Sequence, residues 1–281
     1  MAAIGRFNTL QITKHTDFGL YLDGGTLGEI LLPKRYIPAN ESTEVDDWLN
    51  VFVYLDSEDR PIATTLRPKA QVGEFASLKV VQINKVGLFL DWGLPKDLLL
   101  PHSEEKRPLR EGDYAVVYVY LDRHTRRITA TSYLDRYLDK SPPTYRPGEA
   151  VDLLVAGPTD LGFKAIINNR HWGLIHRNEA FKFLRKGTRD RGYIREIRSD
   201  GKISLSLQPI GPQAGDALQQ RILEVLAEQG GRLALSDRSP PEAIAQAFGV
   251  SKGNFKKALG ALLKRGLIVI YSEHIEAADL S

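Results

Sequence analysis

Phe18-Gly19-Leu20-Tyr21-Leu22 returns as Val86-Gly87-Leu88-Phe89-Leu90 and again as Leu161-Gly162-Phe163-Lys164-Ala165. Gly19 and Gly87 are 68 residues apart, and Gly87 and Gly162 are 75 apart. The same two spacings relate Gly5-Arg6-Phe7, Gly73-Glu74-Phe75 and Gly148-Glu149-Ala150, which open each stretch. Leu32-Pro33 recurs 68 residues on as Leu100-Pro101, and Val53-Tyr54-Leu55-Asp56 recurs 66 residues on as Val119-Tyr120-Leu121-Asp122. A register held over a whole unit marks three copies of one module.

Each copy reads as β. Short apolar, β-branched and aromatic runs alternate with polar residues, and turns intervene about every ten residues. In the first copy the spacing predicts strands at 9–14, 19–22, 28–32, 51–55 and 62–66. Five short strands in so few residues predict a closed barrel, because closure removes exposed edges. Length alone, 281 residues, favours two domains. The repeats replace that expectation with four modules, at 1–70, 71–146, 147–210 and 211–281.

The composition is that of a globular chain, with 42% hydrophobic and 26% charged residues. It excludes a disordered chain, and 24 Gly with no Cys exclude collagen-like and disulfide-scaffold classes. Without Cys this chain has no thiolate zinc site, iron–sulfur cluster or thiol nucleophile. Arg6 and polar neighbours stand where a signal peptide would carry its apolar core. The apolar runs at 51–55 and 116–121 are far short of the roughly 20 residues of a membrane helix. The expectation is a cytoplasmic protein with no membrane partner.

The tail changes period. Leu218, Ile222, Val225 and Leu226 share one helix face, and Gly230-Gly231 stops that helix. Ser239-Pro240-Pro241-Glu242 predicts a capping box for a second helix running to Gly249. Ser251 caps a third, with Phe255, Leu259, Leu262 and Leu263 as its apolar positions. Gly266 ends it, and Leu267-Ile268-Val269-Ile270-Tyr271 reads as a strand. Helix, helix, turn, helix, strand is the order of a winged helix-turn-helix. The expected fold class is therefore mainly β, with a C-terminal α/β module.

The repeated unit resembles the S1 domain, a five-stranded OB-fold module of RNA-binding proteins. The resemblance rests on Gly-Glu, then Gly-Leu-aromatic-Leu, then Trp172-Gly173-Leu174-Ile175-His176, then Asp-x-x-x-Arg, and finally Ile203-Ser204-Leu205-Ser206. Three such units followed by a winged helix resemble the CvfB family, bacterial regulators of virulence gene expression. The tail Phe255-Lys256-Lys257-Ala258-Leu259-Gly260-Ala261-Leu262 adds to that likeness.

The resemblance implies RNA contacts on strands two and three of each barrel. The matching positions are Phe18 and Tyr21 in the first copy and Phe89 in the second. In the third, Lys164 replaces the aromatic and His176 fills the family's histidine position. Alternation places Tyr21 and Phe89 outward; the alternative is that they pack against a neighbouring domain. Phe18 has the parity of the buried leucines, so it faces outward only if Gly19 forms a bulge. The Asp-x-x-x-Arg pairs are Asp56 with Arg60 and Asp122 with Arg126; the third copy has Arg198 and Lys202 there. Each Asp either orients its Arg toward phosphate or only bonds its own turn. In the tail, Lys252, Asn254, Lys256 and Lys257 are candidate contacts to nucleic acid or to a protein.

The total charge of +3 hides segregation. Residues 1–70 carry 7 basic and 10 acidic side chains, 71–147 carry 12 and 10, 148–209 carry 11 and 7, and 210–281 carry 8 and 8. The third copy is the basic one, with Lys182, Arg185, Lys186, Arg189, Arg191 and Arg195 following His176. None of the six His has metal-ligand spacing, and no phosphate loop or nucleophile elbow occurs. The sequence thus predicts no catalytic residues, no metal and no cofactor. The leading expectation is a regulator of gene expression that binds single-stranded RNA, with duplex DNA reading by the winged helix as the alternative.

Overall fold

The computed structural model describes residues 1–177 and 184–278. It holds three closed five-stranded barrels followed by a helical module. The first barrel is β1 (Arg6–Thr16), β2 (Gly19–Asp23), β3 (Glu29–Pro33), β4 (Trp48–Leu55) and β5 (Pro61–Thr64). The second is β6 (Phe75–Ile83), β7 (Gly87–Asp91), β8 (Leu98–Pro101), β9 (Tyr114–Leu121) and β10 (Ile128–Thr131). The third is β11 (Ala150–Thr159), β12 (Gly162–Ile167), β13 (His171–His176), β14 (Arg189–Ile197) and β15 (Ile203–Ser206). In each, strands one to three form an antiparallel meander. Strand five then lies parallel to strand three and antiparallel to strand four, and strand four closes on strand one. This is the expected OB-type topology, with boundaries within a few residues of those read from the repeat.

Alternation builds each core. Leu10, Ile12, Leu20, Leu22, Ile30 and Leu32 point into the first barrel, all at most 5% exposed. The long first strand of every barrel carries a bulge at one equivalent place, between Ile12 and Lys14, Val80 and Gln82, and Val155 and Gly157. A bulge bends the strand enough to close a small barrel. It also resets the parity, so Lys14 pairs with Tyr21, Gln82 with Phe89 and Gly157 with Lys164 on the outer face.

The chain divides into two compact units, Met1–Leu138 and Asp139–Ser281. In the first, β4 is buried on both faces, which explains the run from Val51 to Leu55. Phe52 and Tyr54 leave their own barrel's core and join that of the second barrel, where Phe52 meets Trp92 edge to face at 5.8 Å. Each such buried ring contributes roughly 1.5–3 kcal/mol.

In the second unit, α1 (Pro212–Glu228) follows the third barrel. Then come β16 (Arg232–Leu233), α2 (Pro241–Phe248), α3 (Lys252–Lys264), β17 (Ile268–Ile270) and β18 (Ile275–Ala277). Ile222, Leu226, Ile244, Phe255, Leu259 and Leu262 form its core with Ile268 and Ile275 from the sheet. Ser251 caps α3 by accepting from the Asn254 N–H at 3.3 Å. Two expectations fail here. Ser239 does not cap α2, because its hydroxyl accepts from the Ser236 N–H and Pro240 takes the cap position. Leu263 is 49% exposed, lying one residue past the buried Leu262 on a helix of 3.6 residues per turn. No helix among the described residues is long and apolar enough to cross a membrane.

Candidate nucleic-acid interface

The outer face of strands two and three carries the expected residues, and one glycine in each barrel shapes it. Gly19, Gly87 and Gly162 open the second strand at φ 148°, 158° and 151°. A Cβ there would lie 2.0, 2.3 and 2.1 Å from the carbonyl oxygens of Leu32, Leu100 and Ile175. Only glycine permits strand three to pass this close, and this is why the repeat keeps it.

In the first barrel, Tyr21 is half-buried on the outer face and Lys14 Nζ lies 4.6 Å from its ring centroid. Lys14 also bonds Glu29 at 2.5 Å, and that bond holds the Glu29 carboxyl below its ordinary value. The cation on this face is thus already neutralised. Phe18 is 76% exposed at the tip of the β1–β2 turn. The strand-parity argument does not apply to it, because it lies outside the strand; no bulge at Gly19 is involved.

In the second barrel, Phe89 is half-buried and lines a cleft of about 680 Å³ with Trp92, Leu99, Tyr120, Lys96 and Arg127. Burial and the Glu104 carboxylate push the Tyr120 hydroxyl up to about 12. Across the cleft, Asp59 of the first barrel's last hairpin receives both Arg127 and Lys96. The Arg127 bond holds the Asp59 carboxyl below its ordinary range, with Lys96 adding to the effect. The alternative fate for aromatics, packing between barrels, is realised by Phe7, Phe52 and Tyr54 rather than by Tyr21 or Phe89.

The Asp-x-x-x-Arg hairpins do both things open to them. Asp56 accepts from the Glu58 and Arg60 N–H groups at 2.8 and 3.0 Å, and also binds the Arg60 guanidinium at 2.9 Å. Arg60 reaches Glu58 as well. In the second barrel the pairing corrects the sequence alignment. Asp122 N bonds Arg127 O where Asp56 N bonds Arg60 O, so Arg127, not Arg126, is the equivalent residue. That hairpin is one residue longer, and Arg126 occupies its left-handed turn position at φ 60°. In the third barrel, Arg198 and Lys202 flank Asp200 at 3.6 and 3.0 Å, so the pair is not purely cationic.

On the third barrel, Lys164 and His176 share the outer face of β12 and β13, with His176 opposite Gly162 and Lys164 opposite Leu174. Lys164 Nζ lies 3.8 Å from the centroid of the Trp172 ring. Trp172 belongs to the site, and sequence reasoning passed over it. Counting by twos back from His176 along β13 reaches Leu174 and then Trp172, so parity alone marks it as outward. Arg189, Arg191 and Arg195 are exposed on β14, and Arg185 and Lys186 precede it. Lys182 lies outside the described residues.

The winged-helix candidates are placed differently. The Asn254 side-chain amide donates to the Gln208 carbonyl oxygen, and Gln208 Nε2 donates to Gly249 O at 3.0 Å. Gln208, just after β15, is 5% exposed. The start of α3 therefore leans on the third barrel. Lys252 donates to Arg238 O at 3.1 Å, and Lys256 lies 3.5 Å from Asp237. Lys257 and Arg195 line a cleft of about 720 Å³ at this junction.

Comparison with known proteins agrees with this architecture. The family model described as S1 domain matches residues 4–66 and 72–132, and that described as CvfB-like winged helix domain matches 220–276. The chain is 30% identical to uncharacterized protein YitL of Bacillus subtilis, covering 94% of this chain and 90% of that protein. It is 26% identical to Conserved virulence factor B of Staphylococcus haemolyticus, covering 89% and 86%. A crystal structure of a multidomain protein with nucleic acid binding domains from Streptococcus pneumoniae aligns over 98% of both chains at 26% identity, with a TM-score of 0.44.

Proposed function

The chain belongs to the conserved virulence factor B family, and on that premise we propose that it is a regulator that binds single-stranded RNA through its tandem barrels. One observation carries the reading. The same outer face occurs three times, with a ring and a cation brought within reach of each other or of a shared cleft: Tyr21 with Lys14, Phe89 with Lys96 and Arg127, Trp172 with Lys164. Rings stack on bases of any sequence, and cations follow the phosphates. Modules in series raise each other's effective concentration on one strand. Control then falls after transcription, without a chemical step of the protein's own. Arg60, Arg126, Arg198 and Lys202 sit at hairpins beside these faces and act as phosphate contacts.

Reading of duplex DNA by α3 finds less support. Asn254, its best base reader, is held by Gln208, and Lys252 and Lys256 have partners within the module. The winged helix serves as a companion to the third barrel, with Lys257 beside Arg195 extending the basic surface.

The test is a titration of labelled single-stranded RNA over a salt series. Binding that weakens linearly in the logarithm of salt supports the proposal. Absence of binding at low salt, or a salt-independent constant, overturns it.

A further inference from the structure

We propose that Trp172 is the base-stacking residue of the third barrel, working with Lys164 in an arrangement that inverts the one in the first barrel. This rests on the RNA-binding reading above. On strand two, the outward position is Tyr21 in the first barrel, Phe89 in the second and Lys164 in the third. At the start of strand three, the outward position is Glu29 in the first barrel and Trp172 in the third; Asp97 stands just before β8 in the second. Ring and charge have changed places. The position that supplies a carboxylate to Lys14 in the first barrel supplies an indole to Lys164 in the third.

Two consequences follow. First, the ring is retained but moved by one strand, so the third barrel keeps a stacking surface that its strand-two sequence lacks. Trp172 is only half-buried, and the ammonium 3.8 Å from its centroid shows that this ring face is not packed against the barrel. A flat base fits such a face, and the four-carbon stem of Lys164 lets its ammonium move to a neighbouring phosphate. Second, the loss of an acidic position suits the most basic segment of the chain, residues 148–209, with 11 basic and 7 acidic side chains.

The row through Trp172 gives the strand a direction. Trp172 pairs with Ile166, Ile166 with Leu154, and Leu154 with Arg189. Ile166 and Leu154 are buried yet stand outside the barrel's core cluster. With Asn168, Asn169 and Arg189 they line a small cleft of about 260 Å³. The path runs from an indole, over aliphatic side chains, to a guanidinium: base first, phosphate last.

The experiment uses the full chain, a short labelled oligouridylate, anisotropy for affinity and tryptophan emission for contact. Thermal melting checks that Trp172→Leu, Trp172→Phe and Lys164→Gln fold. RNA should quench wild-type emission, and Trp172→Phe should lose most of that quench while binding within about threefold of wild type, since phenylalanine still stacks. Trp172→Leu should bind about tenfold more weakly. Lys164→Gln should lower the salt slope by about 0.7, the value for one phosphate contact on a single strand. Wild-type affinity in Trp172→Leu, or an unchanged quench in Trp172→Phe, overturns the assignment while leaving the RNA reading intact. Failure of the wild-type chain to bind overturns the RNA reading itself.

Discussion

Gly19, Gly87 and Gly162 show how much one residue decides. Each sits where a Cβ would strike a backbone carbonyl of the next strand, which cannot rotate away as a side chain would. Gly87→Ala is therefore expected to lower stability by roughly 1–3 kcal/mol or more, the range for forced overpacking, and thermal denaturation followed by circular dichroism measures it. An unchanged melting temperature would mean that the close approach to Leu100 O is not required. These glycines were legible because the constraint is local and repeats. Asn254 was legible only by type. Its partner Gln208 lies 46 residues away, and no pattern in the helix announces it. Trp172 was visible in the sequence, but the expected site was framed by strand two, where the third copy has a lysine.

At the level of elements, the first strand's bulge matters most. It bends the strand for closure and places Lys14 and Gln82 beside Tyr21 and Phe89. Strand existence and order were readable from alternation; the bulge was not, because a single extra residue resembles ordinary variation. The hairpin before β10 shows the same limit, since its extra residue shifts the equivalent arginine from Arg126 to Arg127. The start of α3 is the other decisive element. Gln208 is buried and serves both Asn254 and Gly249. Gln208→Ala is expected to cost about 1–3 kcal/mol, because it leaves shielded polar groups without a partner. Hydrogen exchange should rise in the first turn of α3 and in the turn at Gly249. Wild-type protection there would show that the helix does not depend on the third barrel for its position.

Across the whole molecule, charge and aromatic surface are shared unequally. Residues 1–70 are acidic on balance, and the cation beside Tyr21 is bound to Glu29. The second barrel offers a cleft with Phe89, bridged by Asp59 and Arg127. The third pairs an indole with a lysine in the most basic segment, and the winged helix leans on that barrel through Gln208. This division assigns the tightest RNA contact to the third barrel and a supporting role to α3. The most direct measurement is a competition at low and moderate salt, in which unlabelled single-stranded RNA and duplex DNA of equal length displace labelled RNA from the full chain. The account predicts displacement by single-stranded RNA at far lower concentration than by duplex DNA, at both salts. Equal or better displacement by duplex DNA would contradict it.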